Sequence, residues 1–233
     1  MKVIVFDIGG TLMEYRGMPN VWLEFYEEAF NYVNIKLGLN LRESDINKSL
    51  EILRSYNPRV NYREKEYTPE LIFSDVTRHW QGDFILEDVI SCFFASMKLT
   101  PYIYDETVEV LKSIKANGYK IATLTDVATG MPDELHKSYF TELMPYFDLY
   151  VSSSSCGFRK PDPKGLRDIA EHFGVTASDM IFVGDEEKDI ATAKRFGCVG
   201  VLIDRYKSGA DFGQDVTVED LSVFLSYIRK VSL

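Results

Sequence analysis

The chain has 233 residues, of which 45% are hydrophobic and 27% charged, and its net charge is −10. This length is enough for one large domain, or for one domain with a modest insertion. An acidic chain is poorly suited to sequence-independent nucleic-acid binding, which needs clustered lysine and arginine side chains. Its longest apolar run is too short to span a membrane. We therefore expect a globular protein with neither a nucleic-acid nor a membrane partner.

The cysteines indicate a reducing compartment. Cys92, Cys156 and Cys198 are scattered along the chain, odd in number and without metal-ligand spacing, as is typical of reduced thiols. The first residues also lack the apolar stretch of a signal peptide. We expect a cytoplasmic protein, and its oligomeric state stays open.

The chain opens with a strand pattern and then changes to a helical one. Val3 to Phe6 is an apolar, β-branched run of the kind found in strands that are buried on both faces of a parallel sheet. From about residue 14 to residue 97, apolar residues recur at helical spacing between glycine and proline interruptions. The pattern predicts about four helices here and no strand.

From Thr100 onward, helical and strand patterns alternate. Strands are predicted at residues 120–124, 149–151, 180–183 and 199–203, with helices between them. Such alternation predicts a parallel sheet with helices on both faces. The fold class is thus expected to be α/β, a Rossmann-like doubly wound sheet that carries a helical insertion.

Polar side chains follow the ends of four predicted strands: Asp7, Thr125 with Asp126, Lys160, and Asp185 with Asp189. In an open parallel sheet, ligands bind beyond the carboxyl ends of the strands, so these residues should meet at one site. Carboxylates with water suit Mg²⁺. A hydroxyl and an ammonium group suit phosphate oxygens. The pattern indicates phosphate chemistry assisted by a magnesium ion.

The segment that follows the first strand, DIGGT, has two interpretations. A D-x-G-G-T hairpin faces ATP in sugar kinases of the actin-like fold, but no second hairpin strand is expected after Thr11, and the chain is short for a two-lobed kinase. Together, DIGGT, LTD, RKPDP and GDEEKD resemble, in this order, the four motifs of the haloacid dehalogenase superfamily. We therefore interpret the chain as similar to the phosphatases of that superfamily.

The resemblance implies a division of the chain and a set of roles. Residues 1–13 and 100–233 would form the α/β core, and residues 14–99 a helical cap of the C1 type. Asp7 would be the nucleophile that forms an aspartyl-phosphate, and Lys160 would balance its charge. Phosphate would be bound by Thr125, Asp126 and Lys160. Magnesium would be held by Asp7, the Gly9 carbonyl, Asp185 and, directly or through water, Asp189.

One position departs from the superfamily pattern. Gly9 stands where an aspartate usually protonates the leaving oxygen, so the carbonyl is kept and the general acid is lost. The expected function is a Mg²⁺-dependent phosphatase of a small phosphorylated metabolite. The alternatives are a non-catalytic relative that binds a phosphorylated ligand or a protein, and a hydrolase like the dehalogenases or phosphonatases. The intact Asp7, Lys160 and Asp185 favour the enzyme.

The substrate stays open, because cap residues match no specific pattern. Tyr15 and Arg16 lie where the chain leaves the core, within possible reach of a substrate, and no role is assigned to His136. The group that replaces the missing acid is also left open.

Overall fold

The computed structural model describes residues 2–17 and 22–231. Its strands are β1 (Val3–Phe6), β2 (Met13–Arg16), β3 (Thr100–Ile103), β4 (Lys120–Thr123), β5 (Met180–Gly184), β6 (Val199–Ile203) and β7 (Val216–Val218). Five of them form a parallel sheet in the order β4-β1-β5-β6-β7, and β2 pairs with β3 in a separate antiparallel ribbon.

The helices fall into two groups along the chain. The first group is α1 (Tyr26–Leu37), α2 (Glu43–Tyr56), α3 (Pro69–Thr77) and α4 (Leu86–Ala95). The second is α5 (Thr107–Ala116), α6 (Asp133–Ser138), α7 (Ser153–Cys156), α8 (Lys164–Phe173), α9 (Glu187–Phe196) and α10 (Leu221–Val231).

Strand β1 shows why the sheet is covered on both faces. Its side chains alternate in direction, as in any strand. Ile4 and Phe6 join a buried cluster with residues of α5 and α10, whereas Val3 and Val5 join another with residues of α8 and α9. All four side chains are fully buried. The predicted Rossmann-like, doubly wound α/β fold is therefore confirmed.

The strand prediction was wrong in several details, since β3 (Thr100–Ile103) and β7 (Val216–Val218) were not expected either. No strand was expected after Thr11, yet Met13–Arg16 forms β2, which pairs with Thr100–Ile103 and not with β1. Residues 149–151 run beside β4 through isolated parallel bridges, Ala122 to Leu149 and Thr125 to Ser152, without becoming a regular strand. The segment therefore extends the sheet edge only in part.

Helices α1–α4 build most of a second hydrophobic cluster, which Met131 of the segment after β4 also joins. Phe30, Phe73 and Phe93 are fully buried within it, and Phe93 packs against each of the other two rings. The four predicted helices are present. The division of the chain into a core and a cap at residues 13/14 and 99/100 stays a prediction. Strands β2 and β3 pair with each other at these two boundaries.

Within the part of the chain that the structure describes, none of the helices combines the length and apolar character needed to cross a bilayer. Cys92, Cys156 and Cys198 are all free thiols.

Candidate active site

The carboxyl end of the sheet opens into a cavity of about 340 Å³. Its walls include six of the seven residues predicted for the site: Asp7, Gly9, Thr125, Asp126, Lys160 and Asp185. The remaining one, Asp189, is fully buried beside them. The structure thus brings together residues that are up to 182 positions apart, because parallel strands end at the same sheet edge.

Three carboxylates form the acidic cluster, defined as Asp7, Asp185 and Asp189. Each offers an oxygen atom that lies within 4.8 Å of the others. Thr11 Oγ1 donates a hydrogen bond of 2.9 Å to Asp185 Oδ1, which fixes that side chain. Gly10 leaves room for it, since a Cβ at Gly10 would lie 2.1 Å from Asp185 Oδ2, and its φ is +78°.

Lys160 is the cation of the acidic cluster. Its Nζ lies 2.9 Å from Asp7 Oδ1 and 2.5 Å from Asp189 Oδ1, and the side chain is almost completely buried. Burial alone would lower the pKa of Lys160, but Asp189 and Asp7 outweigh it and hold the pKa well above its usual value. Lys160 is therefore a permanent positive charge.

The carboxylate of Asp7 receives fewer hydrogen bonds than that of Asp189. Its Oδ1 contacts Lys160 as an ion pair without hydrogen-bond geometry, so this buried atom has no hydrogen-bond donor among residues 2–17 and 22–231. Buried carboxylate oxygens normally accept hydrogen bonds. An oxygen in this state is available to a metal ion or to an electrophile.

The acidic cluster holds more negative charge than Lys160 balances. Burial, followed by repulsion from Asp7 and Asp189, raises the pKa of Asp185 to about 8. Burial also raises the pKa of Asp189 to about 6, although Lys160 opposes the shift. A divalent cation would relieve this repulsion, and oxygen ligands of this kind suit Mg²⁺. The residues present therefore fit a magnesium ion.

Asp189 uses both of its carboxylate oxygens within the protein. Oδ1 accepts from Lys160 Nζ, whereas Oδ2 accepts from the backbone N–H groups of Asp185 and Glu186 at 3.1 and 2.9 Å. It also fills the space above Gly184, where a Cβ would lie 2.3 Å from Asp189 Oδ2. This geometry favours a role in positioning Lys160 and the Asp185 loop.

Asp126 is likewise engaged by protein groups. Its Oδ1 accepts from the backbone N–H of Lys160 at 3.0 Å, and its Oδ2 lies 3.3 Å from Lys188 Nζ and 3.9 Å from Arg159. Burial tends to raise the pKa of Asp126, but Arg159 and Lys188 outweigh it and lower the pKa. The carboxylate stays charged and holds these cations in place.

Several cavity residues were missed by the sequence interpretation. The α/β part adds Arg159, Glu186 and Lys188, and the chain before β3 adds Trp22, Leu23, Asn57, Pro58 and Arg59. Arg159 and Lys188 lie inside the RKPDP and GDEEKD motifs, so the sequence could have identified them as site residues. Glu186 also lies inside the GDEEKD motif, whereas the residues before β3 lie in loops and helices whose sequence carries no motif.

Arg159 also belongs to a second buried charge network. We call it the Glu66 cluster: Glu66, Arg63, Ser153 and Arg159. Arg159 Nη1 and Ser153 Oγ donate to Glu66 Oε2, the latter at 2.8 Å, and Arg63 Nη1 lies 2.7 Å from Oε1. Residues 64–66 and 157–159 also pair through backbone hydrogen bonds and one antiparallel bridge. The segment before α3 is thereby fastened beside Lys160.

The comparisons with known proteins agree with this geometry. Residues 1–197 match the haloacid dehalogenase-like hydrolase family. The phosphoglycolate phosphatase of Thiobacillus denitrificans is 32% identical over 130 residues, which is 56% of this chain and about half, 55%, of that protein. The glyceraldehyde 3-phosphate phosphatase of Methanocaldococcus jannaschii is 28% identical over 239 residues, covering 99% of this chain and 98% of that protein.

The fold has close counterparts among solved structures. The 2-haloacid dehalogenase of Pseudomonas syringae superposes with a TM-score of 0.72 at 20% identity, and 99% of each chain is covered. At this identity the likeness concerns the fold alone. The family match and the phosphatase relatives confirm the prediction of a phosphoric monoester hydrolase. The chain belongs to the haloacid dehalogenase-like hydrolases.

Proposed function

We propose that the protein is a Mg²⁺-dependent phosphatase that hydrolyses a small phosphorylated metabolite through an aspartyl-phosphate on Asp7. The observation that carries the proposal is the acidic cluster itself: the buried carboxylates of Asp7 and Asp189, the half-buried carboxylate of Asp185 and one buried lysine at the carboxyl ends of parallel strands. The phosphatase activity named for two relatives supports the same conclusion.

The magnesium ion would be held by the carboxylates of Asp7 and Asp185, with the Gly9 carbonyl as a further predicted ligand. When bound, it would neutralise charge on the phosphoryl oxygens. Asp189 would act indirectly, since its two oxygens already accept hydrogen bonds from Lys160 and from the loop after β5. Its predicted metal role is therefore proposed as one of positioning.

Catalysis would proceed in two displacements. A carboxylate oxygen of Asp7 attacks phosphorus, and the bond between phosphorus and the alcohol oxygen breaks. Lys160 and Thr125 stabilise the charge on the phosphoryl oxygens, and Asp126 positions Lys160 through its backbone N–H. Water then attacks phosphorus, which releases inorganic phosphate and restores the Asp7 carboxylate.

Gly9 limits which alcohols can leave. A general acid typically contributes about 10²–10⁴-fold in rate, and Gly9 has none to offer. The departing oxygen therefore leaves as its anion, or takes a proton from water, from the substrate or from another cavity residue. Aryl and acyl phosphates, whose leaving groups are weak bases, should react well. Alkyl phosphates should react more slowly.

The first experiment is a screen of phosphate esters with Mg²⁺ and with excess chelator. The panel includes an aryl phosphate, phosphoglycolate and glyceraldehyde 3-phosphate. We expect turnover only with the metal. Equal rates in chelator would contradict the metal dependence, while binding without turnover under every condition would favour the non-catalytic relative.

The second experiment restores the missing acid with Gly9→Asp. A Cβ built on Gly9 meets no atom of the described residues within 4 Å, and its φ lies outside the left-handed region, so an aspartate can be accommodated without backbone strain. Wild type should slow steeply along a series of esters of rising leaving-group pKa, and Gly9→Asp should flatten that slope. A flat wild-type slope would mean that another group already supplies the proton.

A further inference from the structure

The arginine that follows strand β6 reaches back to the loop after β1, residues 7–12. Arg205 lies two residues beyond the end of β6. Its Nη2 donates a hydrogen bond of 2.8 Å to the Thr11 carbonyl, 194 positions earlier in the chain. Thr11 is fully buried, so its carbonyl needs a donor inside the protein. Arg205 supplies that donor from a different strand end.

Thr11 connects Arg205 with the acidic cluster. Its hydroxyl donates to Asp185 Oδ1 at 2.9 Å. The backbone N–H groups of Thr11 and Leu12 both donate to the Ile8 carbonyl, at 3.3 and 2.9 Å. The backbone of Thr11 is therefore held on two sides, at its N–H by the turn and at its carbonyl by Arg205. This fixes the position from which the hydroxyl contacts Asp185.

The guanidinium group of Arg205 is itself held in place. Its Nη1 donates to Glu106 Oε1 at 2.7 Å, and its Cζ lies 3.6 Å from the centroid of the Tyr104 ring. The Tyr104 hydroxyl in turn donates to Glu14 Oε2 at 3.2 Å. Arg205 Nε is buried and has no hydrogen-bond acceptor among the described residues, a cost that most arginines avoid by staying exposed. The side chain is thus fixed around its contact with the loop.

We infer that Arg205 is a positioning residue of the active site: it holds the Thr11 carbonyl and thereby the hydroxyl that orients Asp185. A chain of hydrogen bonds then runs from the end of β6, through the loop after β1, to the carboxylate at the end of β5. Arg205 lies outside the DIGGT, LTD, RKPDP and GDEEKD segments. The inference rests on the proposed function only where it treats Asp185 as a Mg²⁺ ligand.

The first test is made without metal. Hydrogen exchange of the Thr11 and Leu12 amides is followed by NMR in excess chelator, in wild type and in Arg205→Met, which removes the donor but keeps a long side chain. We expect exchange at least about tenfold faster in the variant, as for one lost hydrogen bond. Arg16→Met is the matched control, because Arg16 is exposed and stacks on Tyr102 at 3.4 Å. It should leave the exchange rates unchanged.

The exchange rates decide whether the effect is local. Unchanged rates at Thr11 and Leu12 in Arg205→Met would overturn the inference. An acceleration that extends equally to the amides of α8, which packs on the other face of the sheet, would mean a general loss of stability and would overturn it as well.

Magnesium binding then tests whether Arg205 acts through Thr11. Calorimetric Kd values are measured for wild type, Arg205→Met, Thr11→Val and the double variant. Residues behind a metal ligand typically contribute about 10–100-fold in affinity, so each single variant should weaken Mg²⁺ binding about tenfold. The double variant should bind no more weakly than Thr11→Val, because both changes break the same chain of contacts.

The binding results separate this inference from the proposed function. Unchanged affinity in Arg205→Met, or losses that add in the double variant, would overturn the inference while Mg²⁺ binding by wild type stands. A wild type without affinity for Mg²⁺ would remove the metal from the proposed function, and the exchange rates alone would then decide whether Arg205 positions Thr11.

Discussion

Two buried charge networks lie side by side in this protein, and they differ in how their carboxylates are satisfied. In the Glu66 cluster, one carboxylate receives donors from two arginines, a serine and the backbone N–H of Tyr67. In the acidic cluster, Asp7 and Asp189 share one lysine, Asp185 accepts from the Thr11 hydroxyl, and Asp7 Oδ1 accepts no hydrogen bond from the described residues. A carboxylate with every lone pair engaged stabilises the fold, whereas one left without donors is available for chemistry.

Replacing the nucleophile should give the largest effect. We expect Asp7→Asn to reduce turnover by about 10⁴-fold or more, because an amide cannot attack phosphorus. The melting temperature in chelator should stay equal or rise, since one of three mutually repelling carboxylates is removed. Steady-state kinetics and a thermal melt measure both quantities.

The comparison variant for Asp7→Asn is Glu186→Gln, which changes another carboxylate of the same cavity. Its effect on turnover should stay below tenfold. Turnover by Asp7→Asn close to that of wild type would show that Asp7 is not the nucleophile.

Breaking the Glu66 cluster should lower stability more than activity. Glu66→Gln leaves the buried Arg159 and the partly buried Arg63 facing a neutral amide, a change that typically costs about 3–5 kcal/mol of unfolding free energy. Urea unfolding followed by circular dichroism measures the loss. The matched control is Glu64→Gln, since Glu64 pairs with Arg195 at 2.9 Å on a more exposed surface, where such pairs contribute up to about 1 kcal/mol. Equal losses of unfolding free energy in Glu66→Gln and Glu64→Gln would contradict the distinction between the buried network and the exposed ion pair.

His136 provides a pH-dependent contribution to stability. Burial holds its pKa at about 4 in the folded protein, while an exposed histidine titrates near pH ~6.5. Between these values only the unfolded chain binds the proton, so stability falls as the pH falls from about 6.5 to about 4, by up to about 3 kcal/mol. His136→Gln should remove this component from the pH dependence of the unfolding free energy. Parallel curves for the two proteins would refute the assignment.

Magnesium should stabilise the acidic cluster and leave the Glu66 cluster unaffected. At 100 times its Kd, a ligand that binds only the folded state adds about 2.7 kcal/mol to the unfolding free energy. Asp185→Asn should lose most of this gain, and Glu66→Gln should keep it. Thermal melts with and without Mg²⁺ measure the difference; the same gain in wild type and Asp185→Asn would argue against Asp185 as a ligand.

The sequence allowed the acidic cluster to be predicted because its residues follow strands that end at one sheet edge. The same argument could not reach the Glu66 cluster, since an acidic residue in a loop is usually exposed, and Arg159 lies 93 positions away from Glu66. Strand β2 was missed for a related reason. Glu14 and Arg16 interrupt its apolar pattern, and the strand exists because Thr100–Ile103 pairs with it.

The conformation of Gly9 could not be predicted from the sequence either. A glycine pair such as Gly9-Gly10 does not tell which member needs its small size. The structure distinguishes them: Gly10 has a positive φ and abuts Asp185, whereas the space beside Gly9 is open. The absence of an acid at position 9 is therefore not imposed by steric crowding.

The order of strands in the sheet has a consequence for how the chain acquires its structure during synthesis. Strand β1 pairs with β4 and β5, whose residues follow it by more than a hundred positions. Helices α1–α4 pack against one another through shorter separations and are complete before β4 has been translated. We expect the helical cluster to become ordered first, while β1 waits for its neighbours, because distant pairings close late. Asp7, the proposed nucleophile, would thus be translated early and would reach its folded position late.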